Sequence, residues 1–177
     1  MTSGDAADTT EVRLQPWGAG DFALLERLNA SEMTEHLGGP ESPEKLADRQ
    51  ARYERLWESG NDRVFKIVIA ATGEAVGSVG YWERSWQGEQ VYEMGWSVLP
   101  AFQGRGIAAA ATTQAIARAR ADGRHRFVHA FPGVDNPPSN GLCRKLGFTL
   151  IEESDFEYPR GHLMRCNDWC LDLLASS

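Results

Sequence analysis

The stretch Gly95-Trp96-Ser97-Val98-Leu99-Pro100-Ala101-Phe102-Gln103-Gly104-Arg105-Gly106-Ile107-Ala108 constrains the fold more than any other part of the chain. It reads as the end of a strand, a short turn and the start of a long Ala-rich helix, so a sheet must feed directly into the helix that covers it. Gly104 and Gly106 stand at the junction. Lacking Cβ, glycine takes left-handed backbone angles and lets another molecule approach the main chain. The first N–H groups of a helix have no partner inside it, and the macrodipole places about half a positive charge there. Glycines in front of such groups make a pocket for a diphosphate. Arg105, in the same turn, adds a cation for a charge-assisted contact.

Three phosphate-binding patterns compete for this turn. A P-loop needs a Gly-Lys-Ser or Gly-Lys-Thr, and the chain has neither. The dinucleotide pattern G-x-G-x-x-G/A is matched literally from Gly104 to Ala109. Its first glycine should follow the strand at once, yet Leu99 to Gln103 intervene, and Asp122 closes a helix where an acid ending a second strand is required. The third pattern is Q-x-x-G-x-A, from Gln103 to Ala108. On these six residues alone, an ordinary glycine-containing strand–helix turn also stays open.

At 177 residues, with 42% hydrophobic and 24% charged residues, the chain is the size and composition of one globular domain. A formal net charge of −7 argues against a nucleic-acid binder and suits an amine-bearing partner. No apolar run approaches the ~20 residues of a membrane span. Residues 1–10 read as a disordered lead-in without the basic and apolar regions of a signal peptide. The three cysteines, Cys143, Cys166 and Cys170, then read as free thiols in a reducing, cytoplasmic compartment. Cys166 and Cys170 lack a second ligand pair, so no metal is expected.

Along the chain, Val12–Gln15 reads as a strand, followed by a helix capped by Asp21 with Phe22, Leu24, Leu25 and Leu28 on its apolar face. His36–Pro40 is a loop. Ser42 and Pro43 start a second helix that stops at Gly60. Strands Val64–Ala70, Ala75–Tyr81 and Gln90–Val98 form a meander, with a hairpin loop at Ser85–Glu89. Gly77 and Gly80 mark bulges or a close neighbour. Helix Ile107–Ala121 ends at Asp122-Gly123. Strand Arg126–Phe131, a short helix starting at Asn136 or Ser139 and ending at Gly147, strand Phe148–Glu152, a loop Asp155–Gly161 and a final strand His162–Leu174 complete the order β-α-α-β-β-β-α-β-α-β-β. This order implies an α/β, partly antiparallel sheet covered by helices.

Two separated motifs, in this order of elements, resemble the GNAT superfamily of N-acetyltransferases over residues 11–177, taken as one domain. The first is Gln103–Ala108 after its strand, similar to the acetyl-CoA signature. The second is Asn136-Pro137-Pro138-Ser139 with Leu142-Cys143-Arg144-Lys145-Leu146-Gly147-Phe148. It looks like the N-x-x-S…K-L-G-F segment of the RimJ/RimL-like branch, as Tyr92-Glu93-Met94-Gly95-Trp96 resembles that branch's Glu-Ile-Gly-Tyr strand. The resemblance implies a mixed, mostly antiparallel sheet of about seven strands covered by about four helices. It also implies a V-shaped opening between the strand ending at Val98 and strand Arg126–Phe131. Acetyl-CoA would lie there, held by the backbone at Ser97 and Val98, by the turn at Gln103, Gly104, Arg105, Gly106, Ile107 and Ala108, and by Asn136. A homodimer is common in the family.

Acetyl transfer to an amine sets three chemical demands. An alkyl ammonium with a pKa near ~10.4 must lose a proton, an oxyanion needs a donor, and a thiolate leaves. Glu93 is the candidate base, or else a structural carboxylate; Glu83, Glu35 and His36 are reserves. Many family members carry a tyrosine acid where this chain has Cys143, which reads instead as a packing residue. Ser139 is the candidate acid, or else a helix-start serine. Trp57, Trp82, Trp86 and Trp96 either line an acceptor pocket or pack. Arg84-Ser85-Trp86-Gln87 sits at the hairpin tip, in reach of the acceptor. Arg124 and Arg126 either meet the CoA 3′-phosphate or form a solvated face. The acceptor is a small-molecule amine or a protein N-terminus; the other reading is a non-catalytic CoA-binding module on the same fold.

Overall fold

The computed structural model describes residues 10–34, 39–59, 63–157, 161 and 163–175. The expected N-terminal lead-in, the loop residues His36 to Gly38, the stop at Gly60 and the reserve bases Glu35 and His36 lie outside them, apart from Thr10 at the end of the lead-in. The described residues form seven strands: β1 (Val12–Pro16), β2 (Arg63–Ile69), β3 (Ala75–Trp86), β4 (Glu89–Val98), β5 (Phe127–Ala130), β6 (Thr149–Glu157) and β7 (Leu163–Asp172). The helices are α1 (Phe22–Leu28), a single turn α2 (Ser31–Thr34), α3 (Pro43–Ser59), α4 (Ile107–Asp122) and α5 (Pro137–Lys145).

The strands form one sheet in the order β1-β2-β3-β4-β5-β7-β6. All pairs are antiparallel except β4 with β5. A parallel neighbour requires a crossover, and α4 supplies it. Ile107, Ala111, Thr112, Ala115, Ile116 and Ala119 face inward along α4, and the alanines let it lie close to the sheet. Gly123, at φ 63°, ends it in the left-handed conformation.

Alternation divides the sheet into two faces. One carries Phe65, Ile67, Tyr81, Tyr92, Met94, Val98, Val128 and Trp169, packed with α4 and with Cys143 of α5. A second apolar cluster joins α1 and α3, through Leu24, Leu25, Leu28 and Leu46, to Trp17, Val64 and Leu99.

Three local expectations are corrected. β3 does not end at Tyr81 but runs to Trp86, because every residue from Trp82 on has a partner on β4. The hairpin loop therefore shrinks to Gln87-Gly88, with φ values of 49° and 83°. Positive φ at both central residues gives a turn whose twist matches the flanking strands. β6 continues to Glu157 through residues expected as loop, because β7 pairs with it as far as Leu163 and Arg165 bridges Glu153 and Asp155. Asp21 does not cap α1: its carboxylate accepts the Gly18 N–H at 2.7 Å and the Lys66 ammonium at 3.0 Å.

Gly77 and Gly80 mark close neighbours, and at Gly77 the ladder also shifts register between Ile67 and Val68. A Cβ on Gly77 would stand 2.2 Å from the Ser97 carbonyl oxygen, and one on Gly80 2.7 Å from that of Arg63.

Candidate active site

The site begins where β4 and β5 part. The two strands pair only at Tyr92–Val128 and Glu93–His129. β4 runs on through Val98 with no strand beside it on that edge among the described residues. The Leu99 N–H donates to the Val76 carbonyl at 2.8 Å. With the β3–β4 register, this turns the backbone groups of Glu93, Gly95 and Ser97 toward β3 and those of Met94, Trp96 and Val98 toward the opening. Ser97 was expected to offer its backbone to a ligand; that edge belongs instead to Trp96 and Val98. The Val98 carbonyl accepts the Gln103 side-chain amide at 2.9 Å. Gln103 thereby ties the turn to the strand.

The turn is built as a cradle. One 3-10 turn, Pro100–Phe102, leads to Gly104 (φ 78°) and Gly106 (φ 75°), the latter preceding α4. The first helical bond is from Ala110 N–H to the Gly106 carbonyl, so the N–H groups of Ile107, Ala108 and Ala109 head the helix without an intrahelical partner, and no side chain caps them. A Cβ on Gly104 would meet nothing within 4 Å. Arg105 lies over the Phe102 ring, 5.3 Å from its centroid. The Ile107 side chain is buried, so only its main chain faces the turn. An uncapped helix start with open space over Gly104 fits a diphosphate group.

α5 starts at Asn136, whose Oδ1 accepts the Ser139 N–H at 3.3 Å. Asn136 is thus the cap and Ser139 is not, while Asn136 Nδ2 stays as the donor that residue can offer a ligand. Asn140, which the sequence did not single out, locks this corner. Its Nδ2 donates to the carbonyls of Gly133 and Asn136, and its Oδ1 accepts from Asn167 and Trp169. Cys143 is fully buried, and burial pushes its thiol up to about 12. It can serve neither as acid nor as nucleophile.

Glu93 lies on the face opposite α4, at the last position where β4 pairs with β5. The Trp82 indole N–H donates to it at 2.5 Å and the Arg84 guanidinium stands 3.5 Å away. Burial raises its carboxyl above the usual range, against the pull of Arg84, Trp82 and the more distant Arg52 of α3. A carboxylate poised upward in this way is a better proton acceptor at neutral pH.

Beside it stands a pair that the sequence reading missed. His129, the cross-strand neighbour of Glu93, holds Asp168 of β7 through Nδ1 at 2.5 Å. The second Asp168 oxygen accepts the Trp86 indole N–H at 3.1 Å. Burial opposes the charge on His129, but Asp168 and its strand partner Cys170 outweigh it and hold the imidazolium up to about 9. Each residue carries a local signal, a histidine within an apolar strand and an acid beside Trp169, but their meeting follows from the β5–β7 pairing.

Other candidates fall away from this cluster. Glu83 is tied to Arg124 and His125 on the opposite face, and Arg126 pairs with Asp172. Trp57 donates to the Val64 carbonyl and packs edge-on to Phe65, and Trp96 packs on the α4-side core. Trp82 and Trp86 remain at the site. No three His, Cys, Asp or Glu side chains gather as metal ligands among the described residues, and no described helix is long and apolar enough to cross a membrane.

The sequence profile of the Acetyltransferase (GNAT) domain matches residues 11–149. The chain belongs to the GNAT acetyltransferase family. Solved structures share the GNAT fold at low identity. The yncA acetyltransferase of Salmonella typhimurium, determined with its cofactor acetyl-CoA, is 23% identical, with a TM-score of 0.74 over 94% of this chain and 96% of its own. Spermidine N-acetyltransferase of Vibrio cholerae, in complex with CoA and spermine, is 17% identical, with a TM-score of 0.75 over 93% and 97%. The Salmonella typhimurium acetyltransferase that modifies the N-terminal serine of ribosomal protein L7/L12 is 19% identical, with a TM-score of 0.75 over 93% and 96%. No curated protein sequence matches the chain.

Proposed function

We propose that this GNAT domain moves an acetyl group from acetyl-CoA to a primary amine by direct attack in a ternary complex, in the cytoplasm. The observation that carries this reading is the position of Glu93. A largely buried, upward-shifted carboxylate, with 12% of its side chain exposed, stands at the point where β4 leaves β5, on the strand whose open edge leads to an uncapped helix start.

Acetyl-CoA supplies an activated thioester carbonyl. The backbone N–H groups of the turn Gly104–Ala108 hold its pyrophosphate, and the Trp96 and Val98 edge of β4 receives its pantetheine amides. Asn136 Nδ2 adds a donor from the start of α5. Glu93 accepts the proton that the acceptor ammonium must lose, directly or through water. The Ser139 hydroxyl, not engaged as the helix cap, donates a proton to the departing thiolate.

Calorimetric titration with acetyl-CoA tests the first half, with Gly106→Trp as the variant that should lose binding. An amine panel with Glu93→Gln tests the second. One observation favours the other reading, a CoA-binding module: α5 buries Cys143 at the position where the family resemblance implies a tyrosine acid. Binding without turnover on any amine would decide for the module.

A further inference from the structure

The Arg84–Glu93 pair offers more than a base. Arg84 lies over two rings, 5.4 Å from the centroids of Trp86 and of Phe131. Those rings are themselves fixed. Trp86 meets Phe131 edge-on at 4.7 Å, and Phe131 stacks on His129 at 5.8 Å. Trp86 and His129 both end on the buried Asp168 carboxylate. The guanidinium is therefore held against an aromatic pair that is itself anchored, while about a third of the side chain stays open to solvent. Such cation–π support fixes position without removing hydrogen-bonding capacity.

Two arginines act on Glu93 in a chain whose net charge is −7. Among the described residues, Arg84 from β3, the His129 imidazolium from β5 and the exposed Arg52 from α3 are disposed about the Glu93 carboxylate, and the neighbouring Asp168 is already bound to His129 and Trp86. A polyamine would bring more positive charge against this group, and like charges brought together repel. A guanidinium and a carboxylate side by side are the complement of a molecule that carries an ammonium and a carboxylate side by side. When such a molecule enters, each partner exchanges one counter-ion for another and no charge is left buried and unpaired.

We propose that the acceptor is a small zwitterion of the α-amino acid class, with its carboxylate on Arg84 and its ammonium on Glu93. This rests on the acetyl-transfer reading and names its substrate. Arg84 is then a specificity-determining residue, since a planar guanidinium binds a carboxylate with two parallel bonds. Asp168 is a positioning residue that acts through Trp86 and His129. A peptide N-terminus lacks the adjacent carboxylate and leaves the guanidinium only a neutral carbonyl.

The test compares each of the twenty common α-amino acids with its α-carboxamide, and with spermidine as a carboxylate-free reference. Binding to the CoA-saturated protein is read by calorimetry, and transfer is read with acetyl-CoA. At least one amino acid should bind tenfold or more tightly than its carboxamide and than spermidine. Arg84→Gln should erase that preference, and Arg84→Lys should keep part of it. The acid–amide comparison on the unaltered protein stands even if a variant misfolds. Transfer to amines with no preference for the acid would overturn the zwitterion and leave the transferase intact. Carboxylate-selective binding without transfer would overturn the transferase and leave the site intact. Spermidine as the best acceptor, or no binding by any amino acid, would remove the proposal.

Discussion

Nδ1 of His129 lies 2.5 Å from Oδ1 of Asp168, a carboxylate with no solvent exposure. The two residues are contributed by adjacent strands that are far apart in sequence, and they share the sheet face that carries Glu93. The pair joins the electrostatics of the site to the stability of the fold, because the same carboxylate orients Trp86.

That coupling gives a pH dependence with a definite sign. His129 titrates at about 9 in the folded protein against an ordinary value of 6.5. A raised cation contributes stability that is fully present below pH 6.5 and is lost as pH rises to 9 and beyond, because the folded state binds the extra proton. The amount is about 3 kcal/mol. The melting temperature should fall from pH 6.5 to 9, and His129 should titrate late by NMR. Asp168→Asn should lower stability at pH 6 and flatten this slope. A Tm profile that is unchanged by Asp168→Asn would show that the pair is not an ion pair.

Glu93 gives the opposite balance of stability and activity. Its carboxyl is raised chiefly by burial, so ionising it costs folded-state stability, and that cost grows as pH rises through its pKa. Glu93→Gln keeps an acceptor for the Trp82 N–H and removes the buried charge. Its Tm at pH 7 should equal or exceed that of the unaltered protein, while kcat falls about 100-fold or more and acetyl-CoA affinity holds. The acid limb of the rate profile, lying above the usual carboxylate range, should vanish with it. Retention of kcat would move the base elsewhere.

How much of this could be read from the sequence depends on the range of the interaction. The turn at Gly104 and Gly106, helix α4 and the start of α5 were legible because propensity, capping residues and spacing act within a few residues. The extension of β3 to Trp86 and of β6 to Glu157 was not, since Glu83, Arg84 and Ser85, and Glu153, Ser154 and Asp155, have little strand preference of their own and are held in strands by partners across the sheet. The exchange of Ser97 for Trp96 at the open edge depends on which way a backbone group points, and that follows from the β3 register. The Asp168–His129–Trp86 network joins three strands, and pairing between strands distant in sequence leaves no local pattern.

α5 carries both the candidate acid Ser139 and Cys143, which was read as a packing residue, and the structure gives them different roles. Cys143 is buried among core side chains with its thiol pushed up to about 12, so Cys143→Ala should cost about 1 kcal/mol and leave kcat within about twofold. Ser139 is half-buried next to the cap, and its removal changes no core contact. Ser139→Ala should lower kcat about tenfold with Tm unchanged. Steady-state rates and melting curves on the two variants check this; the reverse pattern would reassign the proton donor.

Two glycines test whether the cradle and the strand edge act as one binding surface. At Gly104, φ is 78° and the space above is open, so Gly104→Ala pays only the backbone strain of a left-handed alanine, about 1 kcal/mol. Its new methyl group lies where a phosphate would approach, so acetyl-CoA affinity should fall tenfold or more with a small change in Tm. Gly77→Ala works from the neighbouring strand β3, opposite Val98. Its Cβ would stand 2.2 Å from the Ser97 carbonyl, so β4 must shift, at about 1–3 kcal/mol. That shift displaces Trp96 and Val98, and acetyl-CoA should bind more weakly although the mutated residue touches no ligand. Calorimetry on both variants decides. Unchanged affinity in Gly77→Ala, with the expected loss of Tm, would detach the β4 edge from the binding surface and leave the helix start to hold the ligand without it.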